Sequence, residues 1–180
     1  MEAMSESGVF EVRELDPADI DVRIDYFHGA SDDHLGRLGV DRALLPDRAA
    51  WRASYAADHA RPLRERETYV VRWDLGGILV GFSSMTHIEY GDQGFLHLHV
   101  LDPERRGIGL GRSFVRESAD LYIDRFELRR VLSEPNAFNV APNRALQAAG
   151  FRYQYTHETV PGPWNLHQPV TRWLYEPSRS

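Results

Sequence analysis

The chain has 180 residues, 42% apolar and 27% charged, with no cysteine and a formal net charge of −6. The missing cysteine excludes disulfides, thiolate metal sites and a covalent cysteine nucleophile, and the acidic balance disfavours nucleic acid as a main partner, because phosphate contacts call for an excess of basic side chains. One sizeable core fits this length, and no apolar run approaches the roughly 18 residues that a membrane helix needs.

In chain order, residues 1–8 read as a loose polar terminus, neither a signal nor a transit peptide, and the lack of cysteine fits the cytosol. Residues 9–15 alternate apolar and polar, as in a half-buried strand. Asp16-Pro17 opens a helix that runs to about Phe27, Ser31 caps a second over residues 34–38, and Pro46-Asp47 starts a third over about 48–60. Residues 68–73, 78–89 and 94–101 are rich in strand formers. The Gly76-Gly77 pair and Tyr90-Gly91-Asp92 separate them as turns, which gives an antiparallel meander. From Arg106 to about Arg125 the period becomes helical, with Phe114, Ala119, Leu121 and Tyr122 directed inward. A short buried strand follows over 128–133, then a helix over 142–149 stopped by a left-handed Gly150, then strands over 151–159 and 170–175. Strands that come first as a meander and later alternate with helices predict a single α/β domain, residues 1–180, around a mixed sheet.

The most informative segment is Asp102-Pro103-Glu104-Arg105-Arg106-Gly107-Ile108-Gly109-Leu110-Gly111, between a strand and the long helix. Its three glycines let the backbone turn tightly and approach a ligand. A helix N-terminus then presents free N–H groups with partial positive charge, and Arg105 and Arg106 add mobile charge beside them. Together these make a pyrophosphate cradle. Any tight strand–helix turn uses glycine too, but this one is neither a Walker loop nor a dinucleotide fingerprint.

The Pro-x-x-Arg-Gly-x-Gly-x-Gly pattern resembles the acyl-CoA motif of the GNAT superfamily of acyltransferases. A second stretch, Asn139-x-x-Pro142-Asn143-x-x-Leu146-x-x-x-Gly150-Phe151, resembles that family's Asn-containing helix ending in Gly-Phe, and the order of elements from Glu11 to Tyr175 agrees. The resemblance implies a largely antiparallel twisted sheet of six to seven strands, splayed at the signature strand and flanked by helices. It implies acetyl-CoA or another acyl-CoA as co-substrate, with no metal. Donor contacts would fall to His99, Val100, Leu101, Arg105, Arg106, Gly107, Ile108, Gly109, Leu110, Gly111, Asn139 and Asn143. The oxyanion donor is expected near Val100 or Leu101. Ser133-Glu134-Pro135-Asn136 looks closest to two branches, one acetylating α-amines such as ribosomal-protein N-termini, the other acylating amines in siderophore assembly.

An amine acceptor arriving as ammonium must lose a proton, and a general base needs reach and a suitable pKa. Period-two alternation puts His97 and His99 on one strand face, opposite Leu96, Leu98 and Val100. The family position favours His97 as base, although hydrogen-bonded structural histidines, or a His-x-His metal pair, would look alike in sequence. Glu134 at the end of the next strand would orient His97, act as base itself or attract a cationic acceptor; a solvated strand-end carboxylate is the plain alternative. His87 and Glu89 share a face of the neighbouring strand and are candidates for the acceptor cleft. Asn139 would contact the donor or cap its helix. Leu146 stands where many members of the superfamily carry a tyrosine general acid. Trp51 and Tyr55, one turn apart, suit core packing. The loop from His157 to His167 would border the acceptor site, pack a homodimer contact or simply lie on the surface. The function expected is acyl transfer to a small-molecule or peptide amine, without a membrane partner. A biosynthetic acyltransferase with another donor, and an idle acyl-CoA-binding module, stay open.

Overall fold

The computed structural model describes residues 9–101, 110–159 and 162–177. The expectations for residues 1–8 and for Arg105, Arg106, Gly107, Ile108 and Gly109 lie outside these.

Seven strands form one sheet in the order β1-β2-β3-β4-β5-β7-β6. They are β1 (Phe10–Glu14), β2 (Thr68–Leu75), β3 (Ile78–Glu89), β4 (Gln93–Val100), β5 (Arg130–Ser133), β6 (Arg152–Glu158) and β7 (Pro169–Tyr175). Five α-helices join them: α1 (Asp21–His28), α2 (Asp32–Leu38), α3 (Arg48–His59), α4 (Leu110–Phe126) and α5 (Val140–Ala148). Asp16-Pro17 opens a short 3-10 turn, Pro17–Asp19, instead of the α-helix itself, which begins at Asp21. The β2–β3 hairpin closes on Gly76 and Gly77 with φ of 58° and 79°, the left-handed pair that a two-residue turn of matching twist requires. Gly150 ends α5 at φ 94°. Among the described residues, no helix is long and apolar enough to cross a membrane.

Helices cover both faces of the sheet. Tyr69, Val71 and Trp73 of β2 meet Phe114, Val115, Ala119, Tyr122 and Phe126 of α4 in one core, which also takes Leu96 of β4. The opposite face is covered by α1, α2 and α3, where Ile24, Phe27, Leu35, Trp51 and Tyr55 pack on Val70 and Phe82. Trp51 and Tyr55 are thus core residues. The chain's far end returns to this second layer: Val40 bridges Asn165, Asp41 N–H donates to Trp164 O at 2.9 Å, and Leu166 N–H donates to Gly39 O at 2.7 Å.

One junction sets up the site. Every neighbouring pair of strands is antiparallel except β4 and β5, which pair in parallel over only Gln93–Arg130, Gly94–Val131 and Phe95–Leu132. A last tie, Ser133 Oγ to Leu96 O at 2.7 Å, closes the contact. Beyond it the strands part, and β4 continues to Val100 paired with β3.

Candidate active site

A cavity of about 1060 Å³ opens at this parting, between the strands and the α1–α3 layer. Its walls include Arg23 and Phe27 from α1, Trp51 from α3, Ser84 and Thr86 from β3, His97 and His99 from β4, and Glu134 just past β5. Trp164 and Asn165 of the 157–167 loop close one side, so this loop borders the cavity and is no plain surface loop.

The strand register explains which side chains meet. Ser84 stands opposite His97, and Phe82 opposite His99. Side chains alternate across a strand, so these four share the face that looks toward α1, while Leu96 and Leu98 join the α4 core. Both histidines are therefore together on the cavity side, as alternation predicts.

His97 Nε2 lies 2.9 Å from Thr86 Oγ1, which is also 3.1 Å from His87 Nδ1. The hydroxyl bridges two imidazoles. The His97 side chain is exposed by area yet stands within the cavity walls. The direction of its pKa follows those walls: burial pushes it down from 6.5 to about 4, the charges of Arg23 and His87 add to the fall, and Glu134 opposes it. At neutral pH the imidazole is uncharged, but a pKa this far below neutrality makes it a weak base unless a bound charge raises it.

Glu134 does not bond His97. Its Oε1 accepts from Arg172 Nε at 2.5 Å and pairs with His157 Nε2 at 2.8 Å. Two partners hold the carboxylate as a fixed negative charge at the end of β5. His87 has a positive φ of 49°, at a register shift between Thr86 and Glu89. This bulge re-aims a side chain that plain alternation would have put level with Glu89. Both residues still reach the cavity wall.

His99 sits among Phe82, Tyr26 and Phe27, with ring centroids at 4.8, 5.0 and 5.2 Å. It faces the α1 layer, away from α4. Burial drives its pKa well below 6.5, with His97, Arg23 and His34 adding to the fall. The sign follows: the unfolded chain binds a proton near the ordinary value and the folded chain resists it. This part of the stability is full above pH 6.5 and is lost as pH falls below it. We expect His99→Phe to flatten the decline in urea-unfolding free energy between about pH 7.5 and 5.5; equal slopes in the two proteins would show that the site is not desolvated.

The remaining donor candidates divide. Leu101 N–H donates to Val80 O at 3.0 Å, so this N–H is already used and is no oxyanion donor. Val100 pairs with Gly81 and packs on the α4 core. Asn139 precedes α5 without a side-chain cap bond and lines the cavity. Asn143 Nδ2 donates to Asn136 O at 3.0 Å and Asn139 O at 2.8 Å, and its Oδ1 accepts from Trp173 Nε1 at 2.8 Å. Its amide is spent on shaping the 136–139 turn. Leu110 begins α4, and Gly111 follows it. A Cβ at Gly111 would meet Ala145 Cβ at an ordinary 3.6 Å, so α4–α5 packing does not demand a glycine there. Leu146 is fully buried in the core. Among the described residues, no group of three or more His, Cys, Asp or Glu is placed to hold a metal.

Sequence reasoning missed Arg23, Ser84, Thr86, His157 and Arg172. A signal existed for Arg23. Ile20, Arg23, Ile24 and Phe27 fall at i, i+3, i+4 and i+7, and the arginine occupies a position in that buried stripe.

Comparison with known proteins agrees with this geometry. Residues 59–159 match the family model described as the acetyltransferase (GNAT) domain. No curated protein matches. Among solved structures, yncA from Salmonella typhimurium, a putative acetyltransferase with its cofactor acetyl-CoA, aligns at 20% identity and TM-score 0.69 over 93% of both chains. Spermidine N-acetyltransferase from Vibrio cholerae, in complex with CoA and spermine, aligns at 13% identity and TM-score 0.73 over 93% of this chain and 95% of that one. An acetyltransferase from Salmonella typhimurium that modifies the N-terminal serine of ribosomal protein L7/L12 aligns at 13% identity and TM-score 0.70 over 97% and 99%. With more than half of its length matched by the family model, the chain belongs to the GNAT acetyltransferases.

Proposed function

We propose that the protein is an acetyl-CoA-dependent N-acetyltransferase that modifies a primary amine of a small molecule or a peptide amino terminus by direct attack. The observation that carries this reading is the imidazole of His97, held by Thr86 and facing a large cavity where β4 leaves β5. The gap between the parted strands suits the thin pantetheine arm of a CoA donor. Gly111 on the first turn of α4, where protein packing would accept a side chain, is in keeping with a ligand passing close by. Structural neighbours hold acetyl-CoA or CoA.

Acetyl-CoA supplies the acetyl group as an activated thioester. The chain's own residues do the rest. Glu134, fixed by Arg172 and His157, offers its carboxylate on the cavity wall as an acceptor for an ammonium at the junction. The Thr86 bond orients the His97 ring through Nε2, which leaves Nδ1 for the amine proton. Trp51 and Trp164, at 5.1 Å between ring centroids, wall the cavity and limit water. Holding amine and thioester in line then supplies most of the acceleration.

The test is calorimetric titration with acetyl-CoA and free CoA, followed by thiol release with a panel of amines. We expect both nucleotides to bind. By the sequence motif, Gly109→Val should abolish binding, because a branched side chain in the cradle blocks the phosphates. Undiminished affinity in that variant would remove the donor assignment, and thiol release with no amine would remove the reading as a catalyst.

A further inference from the structure

Three residues that line the cavity each carry a buried polar atom with no hydrogen-bond partner: Arg23 Nε, Ser84 Oγ and His99 Nδ1. They are only 7%, 1% and 9% exposed. Buried polar groups are normally satisfied, and three orphans on residues that line one cavity leave the bonding of that wall incomplete.

Arg23 gives that molecule a sign. Its guanidinium lies over the Trp51 ring, 5.4 Å from the centroid, an attraction that leaves Nε without an acceptor. Other cavity arginines are neutralised: Arg66 pairs with Glu14 at 2.9 Å and Arg37 with Asp33 at 2.5 Å. Among the described residues, no carboxylate lies within ion-pair range of Arg23. Burial lowers its pKa to about 10, so it stays cationic at neutral pH. An unpaired buried cation is costly, and a ligand anion relieves that cost. Arginine and a serine hydroxyl both donate, and a planar carboxylate accepts from both. At the other side of the cavity, the carboxylate of Glu134, itself paired with Arg172 and His157, and the ring of His97 can accept from an ammonium. The unpaired cation of Arg23 gives the cavity one positive end.

From this arrangement we infer that the acceptor is an amine that also carries a carboxylate, bound by Arg23 and Ser84 with His99 beside them, while its amine points toward His97. This rests on the acetyltransferase reading, but binding tests it without turnover.

The experiment titrates the CoA-loaded protein with β-alanine, γ-aminobutyrate and ε-aminocaproate, each against the amine in which a methyl group replaces the carboxylate. At least one acid should bind about tenfold or more tightly than its methyl counterpart, the scale of one charged hydrogen bond. Arg23→Gln should erase that preference while leaving CoA affinity unchanged, which also reports that the variant is folded. If Arg23→Gln does not fold, Ser84→Ala carries the same comparison and should weaken the acid alone. Equal binding of acid and methyl analogue in every pair, binding of neither, or a preference that survives both substitutions would overturn the inference. So would a preference for succinyl-CoA over acetyl-CoA that disappears in Arg23→Gln, because the anion would then belong to the donor.

Discussion

Replacing His97 with alanine should reduce kcat by about 10²- to 10⁴-fold, the usual contribution of a positioned base. Acetyl-CoA affinity should stay within about twofold, because the ring faces the acceptor cavity and the change removes proton transfer rather than uniform binding. The pH dependence separates this role from a structural one. With its pKa lowered from 6.5 to about 4 by burial and by Arg23 and His87, the wild-type imidazole is deprotonated across the neutral range, so kcat/KM should hold level down to below pH 6.5 before falling. In His97→Ala the residual activity should lack that acid limb. Equal turnover at saturating substrates from about pH 6 to 9 would rule out His97 as base. Thr86→Val, which removes the hydroxyl 2.9 Å from Nε2, should give a milder loss of the same kind, since it frees the ring without deleting it.

The largest effect on stability is expected at Trp73. This indole is 1% exposed, stacks on Phe114 with centroids 5.2 Å apart and planes 9° from parallel, and donates Nε1 to Ser118 Oγ at 2.8 Å. It fastens α4 to β2 of the sheet. Trp73→Ala should cost about 3 to 5 kcal/mol through lost burial and an unfilled cavity. For a chain of this size that lowers Tm by roughly 6 to 20 °C, at roughly 2 to 4 °C per kcal/mol. Thermal melting checks it, and a fall of less than a few degrees would show that neighbouring side chains collapse into the space. Gly81 belongs to the same joint. A Cβ there would lie 2.7 Å from both the Trp73 ring and His99 O, so the glycine is what lets the indole lie flat across β3.

Local patterns made most of the architecture legible. The limits of β3, Ile78–Glu89, follow directly from the Gly76-Gly77 turn and the Tyr90-Gly91-Asp92 turn on either side. Alternation along β4 put His97 and His99 on one face, and the register agrees. What alternation cannot contain is the partner. Glu134 reads as a neighbour of His97 because it lies at the end of the strand that follows. Arg172, which binds it, comes from β7, and the strand order that brings β7 beside β5 is a tertiary fact. The His87 bulge escaped for a related reason: the shift appears only when β3 is paired with β4. The resemblance puts an oxyanion donor near Val100 or Leu101, and only strand pairing reveals that the Leu101 N–H is taken by Val80. Arg23 was hidden by its own charge, which reads as a solvated residue until Ile20, Ile24 and Phe27 are found to be buried around it.

The contacts between the two ends of the chain bear on the order in which the protein is made. The wall that carries Trp164 and Asn165 is fastened to Gly39, Val40 and Asp41, across more than a hundred residues. During synthesis the N-terminal helices and the β1–β4 meander emerge first and can associate locally, but their cavity face has no lid until the last strands follow. A nascent chain therefore carries an open, aromatic-lined trough, with the unpaired Arg23 at its floor, for most of its time on the ribosome. Closing it is a late step, slowed by the long loop between its two sides. Chains stopped just short of residue 162 would hold both histidines and the whole meander yet have no enclosed chamber for them to serve.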